Sequence, residues 1–275
     1  MKKGVRILCF IVGFGLCTYP LISSFLEGKR QHNTVATFEQ ALKSSKEEDI
    51  EECVNKARKY NQVLFQAGQL YVSNSEGKLL SRESYQNNLN LFGDGVMGSV
   101  EIPKISVSIP IYHGTEEEVL SVGAGHLYGS SLPVGGDNTH SVLTGHRGLP
   151  NAKLFTRLDE LEKGDVFFLY VYNQNLSYMV DEIQVIKPSE KEVLQIREGK
   201  DLVSLVTCTP YGINTHRLVV TGRRISEEEG SEGDVKPQVG SPREFIFTFL
   251  PFGALLAVGV SFIKKKGKQN ICKKE

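Results

Sequence analysis

Three side chains in this chain have the types and settings that nucleophilic chemistry needs: a thiol, an imidazole and a guanidinium. Cys208 ends an apolar β-type run, Leu205-Val206-Thr207-Cys208, and a turn-rich loop from Thr209 to Asn214 follows it. A second β-type run begins near Thr215 and carries Arg217. If the two runs pair as a hairpin about the loop centre, Cys208 and Arg217 stand opposite each other, with Cβ atoms about 5 Å apart. A free thiol titrates near about 8.5, and a fixed positive charge beside it favours the thiolate. Arg217 suits a second task. Attack on a carbonyl puts negative charge on its oxygen, and a preorganised donor there is worth roughly 2.7–4 kcal/mol. A guanidinium stays charged at any physiological pH. The plainer alternative for Arg217 is an ion pair with a surface carboxylate.

The imidazole is His146, in Val142-Leu143-Thr144-Gly145-His146-Arg147-Gly148. A β run again ends at the key residue, in a glycine-flanked turn. A histidine there can give a proton to a leaving amine and later take one from an incoming nucleophile. His113, His126, His140 and His216 are rivals near turns or β runs, and His216 should point away from Arg217 because strand side chains alternate. A zinc site built from Cys208, His140, His146 and His216 is a competing reading. No Cys-x-x-Cys pair or helical His-x-x-x-His supports it. Neither a cofactor nor a metal is expected, and no cluster of oxygen ligands resembles a calcium cage.

Short strands must position these residues. Val100–Ile102, Val107–Ile111, Ser141–Leu143, Asp165–Tyr172, Leu176–Ile186, Leu202–Thr207 and Arg217–Thr221 read as β, with a hairpin signal at Asn173-Gln174-Asn175. Ala152–Leu161 reads as a short helix. Many short strands separated by Gly- and Pro-rich turns predict a mainly β domain, a closed or nearly closed barrel. Before it, Val35–Phe65 reads as one or two amphipathic helices, and Gly68–Asn90 as a loop or irregular cover. Ser226–Pro242 is acidic, polar and glycine-rich, a linker by composition.

The 275 residues carry no net charge, which gives no reason to expect nucleic acid as a partner. Of five cysteines only Cys53 and Cys208 lie between the hydrophobic ends, too few for a disulfide framework, although a bridge between those two stays open. Ile7–Leu26 holds no charged residue, and about twenty helical residues span the roughly 30 Å of a bilayer core. Lys2, Lys3 and Arg6 precede this run. Its length favours an uncleaved anchor over a signal peptide. A second uncharged run, Phe245–Ile263, is followed by Lys264, Lys265, Lys266 and Lys268. The positive-inside rule puts both basic ends in the cytoplasm and the stretch between them outside the cell.

Taken together, Thr-Gly-His146-Arg-Gly and Thr-Cys208-Thr-Pro-Tyr-Gly-Ile-Asn-Thr-His-Arg217, with Gly-His-Leu-Tyr-Gly-Ser-Ser-Leu-Pro-Val-Gly-Gly upstream, resemble the sortases of Gram-positive bacteria, and class C, the pilin-polymerising class, in particular. The resemblance runs from about Gly98 to Arg224. It implies an eight-stranded barrel and cleavage of an LPxTG-type sorting signal between Thr and Gly through a thioacyl-enzyme. A lysine of another pilin subunit then forms an isopeptide bond. Cys208 would be the nucleophile, His146 the acid and base, and Arg217 the oxyanion donor, with Thr207 lining the substrate pocket. Pilin subunits and the lipid bilayer are the implied partners.

The implied organisation is a cytoplasmic start (1–6), a membrane helix (7–26), a helical region with a degenerate lid-like segment (27–97), the barrel (98–225), a linker (226–244), a second membrane helix (245–263) and a basic tail (264–275). A housekeeping sortase that attaches proteins to peptidoglycan is the alternative within the family. A structural surface protein is the alternative outside it, but Lys236-Pro237-Gln238-Val239-Gly240 lacks the Leu and Thr of a sorting signal. Class C lids carry an Asp-Pro-aromatic motif. Gly68–Gly95 has no Asp-Pro pair, so an open site is expected. Cys208 should then label with a small thiol reagent faster than the equivalent cysteine of lid-anchored relatives; equal rates would refute the open site.

Overall fold

The computed structural model describes residues 3–69, 78–149, 152–232, 249 and 252–253. The chain divides into two units, Met1–Leu26 with Gln238–Glu275, and Glu27–Pro237. In the first unit the described residues belong mainly to the start of helix α1 (Lys3–Ser44), which exposes Leu8, Ile11, Leu16, Ile22 and Phe25. Among the described residues α1 is the one helix long and apolar enough to cross a membrane. The second expected membrane helix, Phe245–Ile263, and the basic tail lie outside the described residues, apart from isolated positions.

The second unit is a closed barrel of eight strands: β1 (Val96–Ile102), β2 (Val107–His113), β3 (Ala124–His126), β4 (Thr139–Thr144), β5 (Val166–Val171), β6 (Gln174–Ile186), β7 (Asp201–Thr209) and β8 (His216–Ile225). Their order around the barrel is β1-β2-β3-β4-β7-β8-β6-β5, with β5 returning to β1. Two pairs, β2 with β3 and β4 with β7, are parallel; the others are antiparallel. Inward side chains such as Val100, Leu143, Leu169, Leu205 and Val220 are fully buried and form one core.

The later part of α1 and helix α2 (Glu47–Gln69) pack against the barrel. Phe38 meets the rings of Phe92 and Tyr172 edge-on, each at 5.7 Å. α2 starts with Glu47, Glu48 and Asp49, which favour the positive end of the helix dipole. It buries Ile50, Val54, Ala57 and Asn61, the i, i+4, i+7 face of an amphipathic helix. Asn61 exchanges two hydrogen bonds with the backbone of Leu132, at 2.9 and 2.7 Å.

Four expectations change. Ala152–Leu161 is not a helix but a series of turns with a 3-10 turn at Leu158–Glu160. Leu154 has φ 38°, and Leu154, Phe155 and Leu158 are all buried. Burying adjacent residues on both sides suits a turn better than a one-faced helix. The hairpin turn is Tyr172-Asn173, one residue earlier than expected, with Val171 opposite Gln174. Part of the segment read as loop is helical: a 3-10 turn at Lys78–Leu80 and α3 (Arg82–Asn87), whose N-cap Ser81 accepts from the Ser84 N–H. The linker begins as a short helix, α5 (Glu227–Glu232), and lies outside the described residues beyond it. A further helix, α4 (Glu117–Leu120), and strand β3 had no sequence signal of their own.

The interior also holds His126, fully buried between the Tyr85 hydroxyl and the Ser131 carbonyl, at 3.0 and 2.8 Å. Burial pushes its pKa down to about 4, and burial also lowers His140. A depressed imidazole contributes stability that is complete above its unfolded value and is lost as pH falls through the folded one. Melting curves between pH 6.5 and 4 should therefore show falling stability, by roughly 3 kcal/mol from His126. A His126→Gln variant should show a flatter slope.

Candidate active site

The β7–β8 hairpin places Cys208 directly opposite Arg217, and Thr209 opposite His216. Its loop is closed by hydrogen bonds from the Ile213 and Asn214 N–H groups to the Pro210 carbonyl, at 3.1 and 3.0 Å. Gly212 and Asn214 supply the positive φ values, 77° and 61°, that the turn requires. Alternation puts Cys208 on the same outward face as Val206, and Arg217 on that of Val219. Val206, Val219, Val142 and Ile186 form a small apolar cluster there, with Leu127, Val193 and Leu194 packed against it. The thiol thus stands at the end of an apolar strip on the outside of the barrel. It is half-buried and free. Cys53 is free as well, so the open Cys53–Cys208 bridge is not formed. Burial pushes the Cys53 thiol up, away from the reactive thiolate.

Arg217 folds back on its own loop, donating from Nη1 to the carbonyls of Asn214 and His216 at 3.3 and 3.1 Å. Among the described residues no carboxylate pairs with it. The surface ion pair considered for it is therefore not made there, and its remaining donors are available to a ligand.

His146 comes from a different part of the chain. β4 lies parallel to β7, with Thr144 opposite Val206. The turn that follows is fastened to β7 on either side of His146. The Gly145 N–H donates to the Val206 carbonyl at 3.0 Å. The Thr207 hydroxyl donates to the Gly145 carbonyl at 2.8 Å. Arg147, its side chain 4% exposed, donates to the Thr209 hydroxyl, pairs with Asp159 and stacks over the Tyr211 ring. Gly145 lies against the Phe155 ring, where an added Cβ would sit 2.6 Å from a ring carbon. The His146 Nε2 is 3.1 and 3.2 Å from the two carboxylate oxygens of Glu117.

The structure thus brings Cys208, Arg217 and the His146 turn to one end of the barrel. It treats Thr207 differently. Its side chain points to the barrel interior, 1% exposed, and its hydroxyl is engaged by Gly145. Thr207 supports the His146 turn from within; a pocket-lining side chain would face outward like Cys208. The rival histidines have other partners. His140 is buried between Ser204 and the Gln195 carbonyl, His113 bonds the Gly95 and Asn88 carbonyls, and His216 lies beside Thr215. Among the described residues no His, Cys, Asp and Glu group is placed to hold a metal. Sequence reasoning missed Glu117, Arg147 and Tyr211. The run Glu116-Glu117-Glu118 reads as a solvated face, and only Arg147, next to His146, offered a local signal.

The lid expectation falls partly on residues 70–77, which lie outside the described residues. The segment after them is tied down: the Leu80 carbonyl accepts from the Tyr128 hydroxyl at 2.8 Å, and Arg82 pairs with Glu116. Replacing Thr207 by Val keeps its shape and removes the tie to Gly145. A loss of about 1–3 kcal/mol in urea unfolding is expected from the unpaired buried carbonyl.

The sortase-domain family matches residues 100–225. Among solved structures, sortase C1 of Streptococcus agalactiae is 42% identical, covers 70% of this chain and 98% of its own, and superposes with a TM-score of 0.65. Clostridium perfringens sortase C, whose structure is described with the C-terminal cell wall sorting motif, is 41% identical over 70% of this chain and 98% of its own, with a TM-score of 0.61. Sortase D of Bacillus subtilis is 31% identical over 132 residues, 47% of this chain and 64% of its own length. The match thus spans slightly less than two thirds of that curated relative. With a closed eight-stranded barrel that carries a cysteine opposite an arginine, and with sortase C structures matching at this identity over nearly their whole length, the chain belongs to the sortase family.

Proposed function

We propose that this chain is a class C sortase, a cysteine transpeptidase that joins pilin subunits through isopeptide bonds. The observation that carries the reading is the Cys208–Arg217 opposition beside the fastened His146 turn. The Cys208 thiolate attacks the threonine carbonyl carbon of an LPxTG-type sorting signal. Arg217 donates to the oxyanion as it forms. When the intermediate collapses, the Thr–Gly C–N bond breaks and His146 gives its proton to the departing glycine amine. A thioester to Cys208 remains. A lysine amine of the next subunit attacks the thioester carbon, His146 takes the proton, and the thiolate leaves. Thr207 acts as a support of this machinery.

The class C assignment rests on identities of 37–44% to the sortase C structures, set against 26–31% to curated sortases A. It is also supported by the second uncharged run with its lysine cluster, which suits a two-pass chain with the catalytic unit outside. The full chain in detergent should form an acyl adduct with an LPxTG peptide, seen by intact mass, and Cys208→Ala should form none. Arg217→Ala should slow adduct formation by about 100-fold or more. A lysine-bearing pilin domain should resolve the adduct faster than a peptidoglycan cross-bridge peptide; the reverse preference would support the housekeeping alternative.

A further inference from the structure

Glu117 stands beside His146 without being part of the cysteine, histidine and arginine set. Both of its carboxylate oxygens lie within hydrogen-bond reach of Nε2, at 3.1 and 3.2 Å. An ionised carboxylate only accepts, so Nε2 must carry the hydrogen. In a neutral imidazole the lone pair is then on Nδ1. The opposite tautomer would set a lone pair against a carboxylate oxygen. Among the described residues Nδ1 has no hydrogen-bond partner.

The carboxylate is delivered from a seated element. α4 lies close on β3 at Gly125, where a Cβ would come 2.9 Å from Leu120 Cδ2, 3.2 Å from Val119 Cγ1 and 2.3 Å from the Gly114 carbonyl. The preceding residue, Glu116, is held by Arg82. The Glu117 side chain is nonetheless 76% exposed. An exposed ion pair contributes little by its charge. The contact therefore matters for direction: it selects a tautomer and a ring orientation.

We infer that Glu117 is a positioning residue, one that fixes the His146 imidazole as the Nε2–H tautomer and leaves Nδ1 to exchange protons with the substrate. The inference rests on the acid–base reading of His146 given above. It predicts that acceptance at this position counts for more than charge, so Gln, whose amide oxygen also accepts, should replace Glu.

The test is a long-range imidazole 1H–15N spectrum of the histidine-labelled full chain in detergent, recorded in alkaline buffer on wild type, Glu117→Gln and Glu117→Ala. His146→Ala assigns the signal. Wild type and Glu117→Gln should show a protonated Nε2 and a bare Nδ1, and Glu117→Ala a mixture. In peptide turnover, Glu117→Ala should lose about tenfold in kcat with KM little changed, and Glu117→Gln should keep most of the wild-type rate. That loss is well short of the roughly 10⁴-fold seen when a buried carboxylate partner is removed, as suits an exposed one. A wild-type Nδ1–H ring would overturn the inference, as would an unchanged tautomer and kcat in Glu117→Ala. If Glu117→Ala is silent while His146→Ala loses turnover, Glu117 has no such role and the acid–base reading stands. Full turnover in His146→Ala would instead overturn that reading, and the wild-type tautomer would still decide the assignment of Glu117.

Discussion

The parallel pairing of β4 with β7 is the constraint on which the rest of the site depends. Six consecutive residue pairs, from Thr139 with Asp201 to Thr144 with Val206, lie in register. Because both strands run the same way, both end at the same rim, and the residues just past their ends emerge side by side. His146 lies two residues past the end of β4, and Cys208 is the last residue but one of β7. An antiparallel arrangement would have sent them to opposite ends of the barrel. Everything else at the site refines this placement. The Thr207 and Gly145 hydrogen bonds fix the height of the turn, Arg147 clamps it sideways, and the β8 hairpin adds the guanidinium.

The difference between local and distant pairing explains what could be read from the sequence. The Cys208–Arg217 opposition was legible because a short loop between two β-type runs leaves few registers. The β5–β6 hairpin was legible for the same reason, displaced by one residue because Tyr172, a bulky residue, takes the left-handed conformation at its turn. Nothing in Ser141–Leu143 announces that it lies beside Leu205, because parallel neighbours share no turn. Nor does β3, three residues with a glycine at its centre, carry an alternating pattern. Glu117 was invisible for a different reason: an acid in an acidic run is informative only once its neighbour is known.

The polar interior mixes neutral and charged pairs. Several buried hydroxyls and imidazoles are matched with carbonyls rather than with charges: Thr207 with Gly145, His126 with Ser131, His140 with Gln195, whereas the Tyr178 hydroxyl donates to the Asp201 carboxylate. Neutral pairs of this kind avoid the desolvation cost of buried ions. Two guanidiniums are also almost wholly enclosed: Arg157 pairs with Glu160, and Arg147 is answered by Asp159, a hydroxyl and an aromatic face together. One of these enclosed charges, Arg147, thus sits next to the turn that carries His146.

The late position of β7 in the chain makes the site one of the last parts of the barrel to be assembled. The histidine turn is complete long before the cysteine strand is synthesised, and the two are separated by the whole β5–β6 hairpin. Parallel pairing between distant strands forms late and slowly. A chain still being made therefore holds its thiol and its imidazole apart. The two side chains come together only as the barrel closes, so the site is assembled as a consequence of the whole fold and not of either segment alone.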